Sequence, residues 1–151
     1  MDDVERFLTH AIQVERDAAR RFEELAESMK TVGNGDTEAC FRQMAVFSRQ
    51  HLAEATARAG FRSPPQLAPD EYEWPDGTSP ETAGWEGVDG FLPPHTALEL
   101  ALDSERRGHA FYAAIAATTR NPEVKVLAEE FAAEEAEHVA ALELRLARAL
   151  I

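Results

Sequence analysis

The chain has 151 residues, enough for one domain with a sizeable core, and its 28 acids against 15 Lys plus Arg give a formal charge of −13. That charge repels a phosphate backbone or an anionic membrane, so nucleic-acid and lipid-surface roles are excluded, and solubility is its first consequence. The single cysteine, Cys40, rules out an internal disulfide and any Cys-x-x-Cys metal site. No signal segment opens the sequence and no apolar run approaches the ~20 residues of a membrane span, so a cytoplasmic protein is expected.

Apolar residues spaced by threes and fours predict a first helix over about 3–30, with Phe7, Leu8, Ala11, Ala18, Ala19, Phe22, Leu25, Ala26 and Met29 on its inner face. Gly33-Asn34-Gly35 stops it, and Asp36 or Thr37 is positioned to cap the next. The second helix, about 37–59, turns Phe41, Met44, Ala45, Ala55 and Ala59 inward and ends at Gly60. The composition then changes over 60–93, where Pro64, Pro65, Pro69, Pro75 and Pro80 alternate with Gly77, Gly84, Gly87 and Gly90. Proline blocks helix interiors and glycine weakens them, so this stretch is expected to be irregular and to run the length of the molecule. Its aromatic residues Tyr72, Trp74, Trp85 and Phe91 are expected to pin it to the helices or to a second copy.

A third helix is expected over about 94–119, with Leu98, Ala101, Leu102, Tyr112, Ile115 and Ala116 inward. Asn121-Pro122-Glu123 reads as an N-cap, a first-turn proline and an early acid, so a fourth helix starts at 122 and runs to about 150. Its stripe is Val124, Leu127, Ala128, Phe131, Ala141, Leu142 and Leu146. Short turns within each helix pair and one long crossover between helices 2 and 3 define an all-α, ferritin-like four-helix bundle, a single domain over 1–151.

Polar residues interrupt every inner stripe at mid-length. Glu15 lies in phase with Ala11 and Phe22, Glu105 with Leu102 and Tyr112, His51 with Met44 and Ala55, and Glu135 and His138 between Phe131 and Leu142. Glu135 and His138 are three residues apart, so one helix face presents both to a single cation. An isolated buried carboxylate is costly and is normally paired, protonated or metal-bound, so one shared cation cluster accounts for all of these residues together. The halves also repeat. A lone Glu is followed seven residues later by an aromatic (Phe22 or Tyr112), then by a helix with a polar residue three before a His (Ser48/His51 or Glu135/His138). His109 is expected as a hydrogen-bonded residue, and His10 and His95, near helix starts, as surface residues.

This doubled pattern resembles the rubrerythrin family of the ferritin-like superfamily across all four helices, excluding the Pro-rich crossover. The resemblance implies a centre of two Fe ions with Glu15 and Glu105 as terminal carboxylates, Glu135 as a bridge, and His51 and His138 as nitrogen ligands. It also implies Tyr112 as a neighbour that orients Glu15 or Glu105 through a hydrogen bond. Ser48 stands where the family places a second bridging Glu, and Gly108 and His109 stand where peroxidase members often carry a further Glu. The resemblance implies a di-iron oxidoreductase, reducing peroxide or oxidising ferrous iron, with an external electron donor and a homodimeric assembly. Ser48 keeps open a non-redox site for one Zn, Fe or Mn, and a bundle that is only structural or oligomerising.

Overall fold

Asp3 opens the first helix, α1 (Val4–Thr31), by accepting the Arg6 backbone N–H at 3.2 Å. Gly33 follows its end at φ +77°, a left-handed conformation that glycine adopts without a Cβ penalty. The computed structural model describes residues 1–60 and 63–149. Phe61 and Arg62 of the crossover, and Leu150 and Ile151 at the expected end of the fourth helix, lie outside the described residues.

The second helix, α2 (Gly35–Ala59), starts slightly earlier than its sequence suggests. Its cap is Asn34, not Asp36 or Thr37: the Asn34 side chain accepts the Thr37 N–H at 3.4 Å. The same amide donates to the Leu92 carbonyl at 2.8 Å and to the Gly90 carbonyl at 3.2 Å. A cap that also ties down the far end of the crossover outcompetes residues that offer a cap alone. The third and fourth helices, α3 (Pro94–Thr118) and α4 (Pro122–Ala149), fall where the periodicity places them. Asn121 accepts the Glu123 N–H at 2.9 Å, the expected start of α4.

Helix α1 packs on α2 and α3 on α4, and the two hairpins meet through α2 with α3 and α1 with α4. Two apolar clusters form the core, each drawing on all four helices. The first holds Phe7, Leu8, Val14, Ala55, Phe111, Tyr112, Val124 and Phe131; the second holds Phe22, Leu25, Phe41, Met44, Leu98, Leu102 and Leu142. Burying each of the larger side chains stabilises the fold by about 1.5–3 kcal/mol. Of the expected inner residues only Ala141 is exposed, at the edge of the α4 stripe. Helices α1 and α4 pass from the first cluster to the second, whereas α2 and α3 pass from the second to the first. Because α2 and α3 run in the same direction, the chain must return along the whole bundle between them.

The crossover makes that return in the groove between α1 and α3. Its described residues form one short 3-10 turn, Pro69–Glu71, and are otherwise irregular. Tyr72 and Trp74 stack on each other with centroids 5.1 Å apart, and Trp74 packs against Phe111 of α3 at 5.5 Å. Both rings also meet His10 of α1 edge-on at 5.0 Å. His10 is therefore fully buried, contrary to the surface position expected from its place near a helix start. Its Nδ1–H donates to the Arg6 carbonyl at 2.8 Å while Nε2 accepts the Glu73 N–H at 2.9 Å. That pattern needs one donor and one acceptor, so the ring is neutral, and burial lowers its pKa. Farther along, Ala83 and Leu92 join the second apolar cluster. Phe91 pins nothing in the chain, being 93% exposed, and Trp85 stays partly exposed under the Arg21 guanidinium. No described helix is long and apolar enough to cross a membrane.

Candidate metal centre

Between the two apolar clusters lies one polar layer, and every helix contributes to it. Helical spacing explains the placement, since each polar residue occupies an inner position between apolar neighbours of the same stripe. Glu15 and Glu135 are almost completely buried, and Glu105, His51 and His138 are partly buried. The five residues expected to hold metal are therefore brought together.

The His138 Nδ1 lies 3.4 Å from Glu105 Oε2 and 3.5 Å from Glu135 Oε2, while His51 Nδ1 lies 3.8 Å from Glu15 Oε2. The two imidazoles stack almost parallel, 7° apart with centroids at 3.8 Å. Two sets of ligand atoms, each within 4.8 Å of one another, result: His51 with Glu105 and His138, and Glu15 with Glu81 and Glu135. This grouping differs from one half-site per hairpin, because the stacked rings bring both histidines beside Glu105.

Glu81 is the residue the sequence reading missed. It comes from the crossover, is 2% exposed, and is one of three buried acids among the described residues, with Glu15 and Glu135. Its signal in the sequence was Gly108, a helix-weakening residue one turn after Glu105 on the inner face of α3. A Cβ built on Gly108 would come within 2.7 Å of the Glu81 carboxyl carbon. Ser48 is buried on the inner stripe of α2, as expected, and places a hydroxyl there. Glu54, one turn beyond His51, is exposed and is no substitute. His109 hydrogen-bonds the Ala132 carbonyl at 2.9 Å, the structural role expected of it. Tyr112 is fully buried, yet its hydroxyl has no hydrogen-bond partner, so the expected bond to Glu15 or Glu105 is not made.

The electrostatics show a layer short of positive charge. Burial pushes the Glu15 and Glu81 carboxyls well above the usual range, and the nearby Glu135 carboxylate adds to the effect. Burial, with Glu135 beside it, raises Glu105 to about 7. Burial acts the same way on Glu135, but interactions with Glu105, His138 and Glu81 outweigh it and bring its pKa to about 2. Burial opposes charge on His138, yet Glu105 and Glu135 hold its pKa up at about 10. His51 is lowered to about 4 by burial and then by repulsion from His138. A single imidazolium thus stands among four carboxyl groups, of which Glu135 is the one whose pKa is lowered.

The donor set fits a metal ion on a further observation. Among the described residues, nine buried side-chain polar atoms lack a hydrogen-bond partner, and six of them belong to His51, Glu81, Glu105, Tyr112, Glu135 and His138. Orphaned buried polar atoms are each costly, and their convergence on one layer is what a cation bound there would relieve. Carboxylate oxygens with imidazole nitrogens suit Fe, Mn or Zn.

Fold and donor set together define a metal-binding protein of the ferritin-like class. A family profile described as Rubrerythrin matches residues 6–63 and 96–149, most of the chain. The chain belongs to the rubrerythrin family. It is also similar to an uncharacterized conserved protein from Magnetospirillum magnetotacticum MS-1, whose crystal structure was determined at 2.00 Å resolution. Identity with that protein is 40%, the match covers 97% of this chain and 95% of the other, and the TM-score is 0.70. Among curated proteins, none matches at a significant level.

Proposed function

We propose that the chain is a non-haem di-iron oxidoreductase that reduces hydrogen peroxide or uses dioxygen to oxidise ferrous iron. The observation that carries this reading is the pair of adjacent ligand groups in one buried layer, since a mono-metal protein needs only one of them. Two bound irons supply the two electrons that cleavage of an O–O bond consumes. Glu135 lies beside both groups and would be the shared carboxylate, with Glu15 and Glu105 as terminal carboxylates and His51 and His138 as nitrogen ligands. The carboxylates would neutralise cationic charge, and the imidazoles would add none of their own once His138 has given up its proton. The apolar clusters on either side exclude water from the layer, which strengthens every electrostatic interaction inside it.

Access is available from the side opposite the crossover. A cavity of about 460 Å³ opens between α2 and α4, walled by Met44, Phe47 and Leu142, with His51, Glu105 and His138 in its lining. Its size suits a small oxidant. Peroxide reduction consumes two electrons and two protons and yields two waters. The sequence has a single cysteine, so the electrons come from an external donor. The same reading pairs the chain with a second copy in the cytoplasm, and Phe47 and Leu144, both partly exposed, favour such a contact.

A single-metal, non-redox site is the second reading, and the observation favouring it is Ser48, where α2 offers no carboxylate. Anaerobic Fe(II) loading, metal analysis and one addition of peroxide separate the two. Two irons per chain with rapid oxidation are expected; one tightly held zinc and no change in absorbance would overturn the di-iron reading.

A further inference from the structure

We propose that Glu81 is a metal ligand delivered by the crossover, which replaces the carboxylate α2 lacks at Ser48 and enters the centre through the space left at Gly108. The inference rests on the metal-centre reading above and concerns the same divalent cations.

Three observations carry it. First, a carboxylate oxygen of Glu81 lies with one each of Glu15 and Glu135 within 4.8 Å of one another. Its Oε1 is buried without a hydrogen-bond partner, although the residue is only 2% exposed. Burying a carboxylate costs several kcal/mol unless a cation or a proton compensates it. Second, among the described residues no ion pair joins Glu81 to a Lys or Arg. Arg107 is nearest in the fold, but its guanidinium donates to the Pro80 carbonyl at 2.7 Å and the Thr82 carbonyl at 3.1 Å, and pairs with Asp103. Arg21 donates instead to the Ala83 carbonyl at 2.5 Å. Both arginines grip the backbone around Glu81 and leave its carboxylate free to face inward.

Third, the helix opposite makes room. Glycine inside a helix is less favourable than alanine, so its presence there needs a reason. Gly108 occupies such a position, and a Cβ there would approach the Glu81 Cγ to 2.8 Å and its Cδ to 2.7 Å. A backbone clamp on either side, a glycine beneath and an unpartnered oxygen at the tip describe a side chain positioned for a ligand. Loop packing alone would be served by an apolar residue in the same space.

The test uses Glu81→Gln in the full chain, because glutamine keeps the shape and the backbone clamp while removing the charge. Wild type and variant are titrated anaerobically with Fe(II) and, separately, with Co(II), whose visible spectrum reports its ligands. Bound metal is counted after desalting, and the rise in Tm on metal addition is recorded. Wild type is expected to hold two ions. The variant is expected to lose one of them or to bind it at least about tenfold more weakly, with an altered Co(II) spectrum and a smaller Tm rise. Gly108→Ala should produce the same loss by displacing the carboxylate, which keeps the test decisive if Glu81→Gln folds poorly. Variants that keep both ions, the wild-type spectrum and the wild-type Tm rise would overturn the role of Glu81 alone. A wild type that binds neither Fe(II) nor Co(II) would overturn the centre itself, and this inference with it.

Discussion

The two helical hairpins perform the same task with different equipment. In the second, His138 stands between Glu105 and Glu135 at 3.4 and 3.5 Å and is held cationic. In the first, the carboxylate of its own hairpin beside His51 is Glu15, at 3.8 Å, and the ring is neutral with a pKa of about 4. The aromatic partners differ as well: Tyr112 brings a hydroxyl among the carboxylates, and Phe22 packs into the second apolar cluster. One carboxylate exchanged for a hydroxyl at position 48 is thus accompanied by a different protonation state of the histidine one turn away. The lesson is that two hairpins can share one packing arrangement and still differ in the charge of their histidines.

The strongest way to break this comparison is to remove the group on which both sets of ligands depend. Glu135→Ala should weaken metal binding by more than about a hundredfold, beyond what loss of an outer-shell partner costs, as measured by anaerobic calorimetry. Retention of near-normal affinity would show that the hairpins hold metal independently. A second approach is pH. In the metal-free protein burial raises the pKa values of Glu15 and Glu81 and brings that of Glu105 to about 7, so each carboxyl holds its proton more tightly than a free one. A metal ion must displace those protons, so affinity should rise with pH, by about tenfold per unit for each proton displaced. Zinc competition assays at pH 6 and 7 measure the slope, and a flat profile would refute the assigned protonation states.

Ser48→Glu should sharpen the comparison by restoring the missing acid, raising metal affinity about tenfold and shifting the His51 pKa upward, observable in its imidazole NMR signals. A variant that only loses stability would mean that position 48 faces packing and not the centre. The smallest effect is expected for Tyr112→Phe. Its hydroxyl has no hydrogen-bond partner, so metal-free stability should change by less than about 1 kcal/mol in chemical denaturation. A larger loss would reveal a bond formed by the phenol in solution.

Much of this architecture was legible in the residues themselves. Helix ends, inner stripes and the five metal-layer residues of the helices follow from a period near 3.6, which fixes which side chains share a face. Asn34 and His10 were misjudged for a common reason: each is satisfied by the crossover, whose path no periodicity encodes. Glu81 escaped for the same reason. In an irregular segment, neighbouring residues give no phase that separates an inward acid from the many outward ones, and only the gap opposite, at Gly108, marks its destination. Contacts of Trp74 with Phe111 and of Arg107 with Pro80 are likewise products of the folded chain, joining residues far apart in sequence.

The crossover's position between α1 and α3 has a consequence for traffic. With that flank sealed by Trp74, Glu81 and Ala83, the bundle has a wall on one side and a doorway on the other, between α2 and α4. The stacked imidazoles of His51 and His138 line that doorway and also face the polar surface formed by Gln50, Glu54 and Glu137. Whatever arrives or departs therefore passes the histidines first and meets the buried carboxylates last. Phe47 of α2 and Leu142 of α4 stand in the wall of that passage together with Phe22 of α1 and Ala101 of α3, so all four helices shape it.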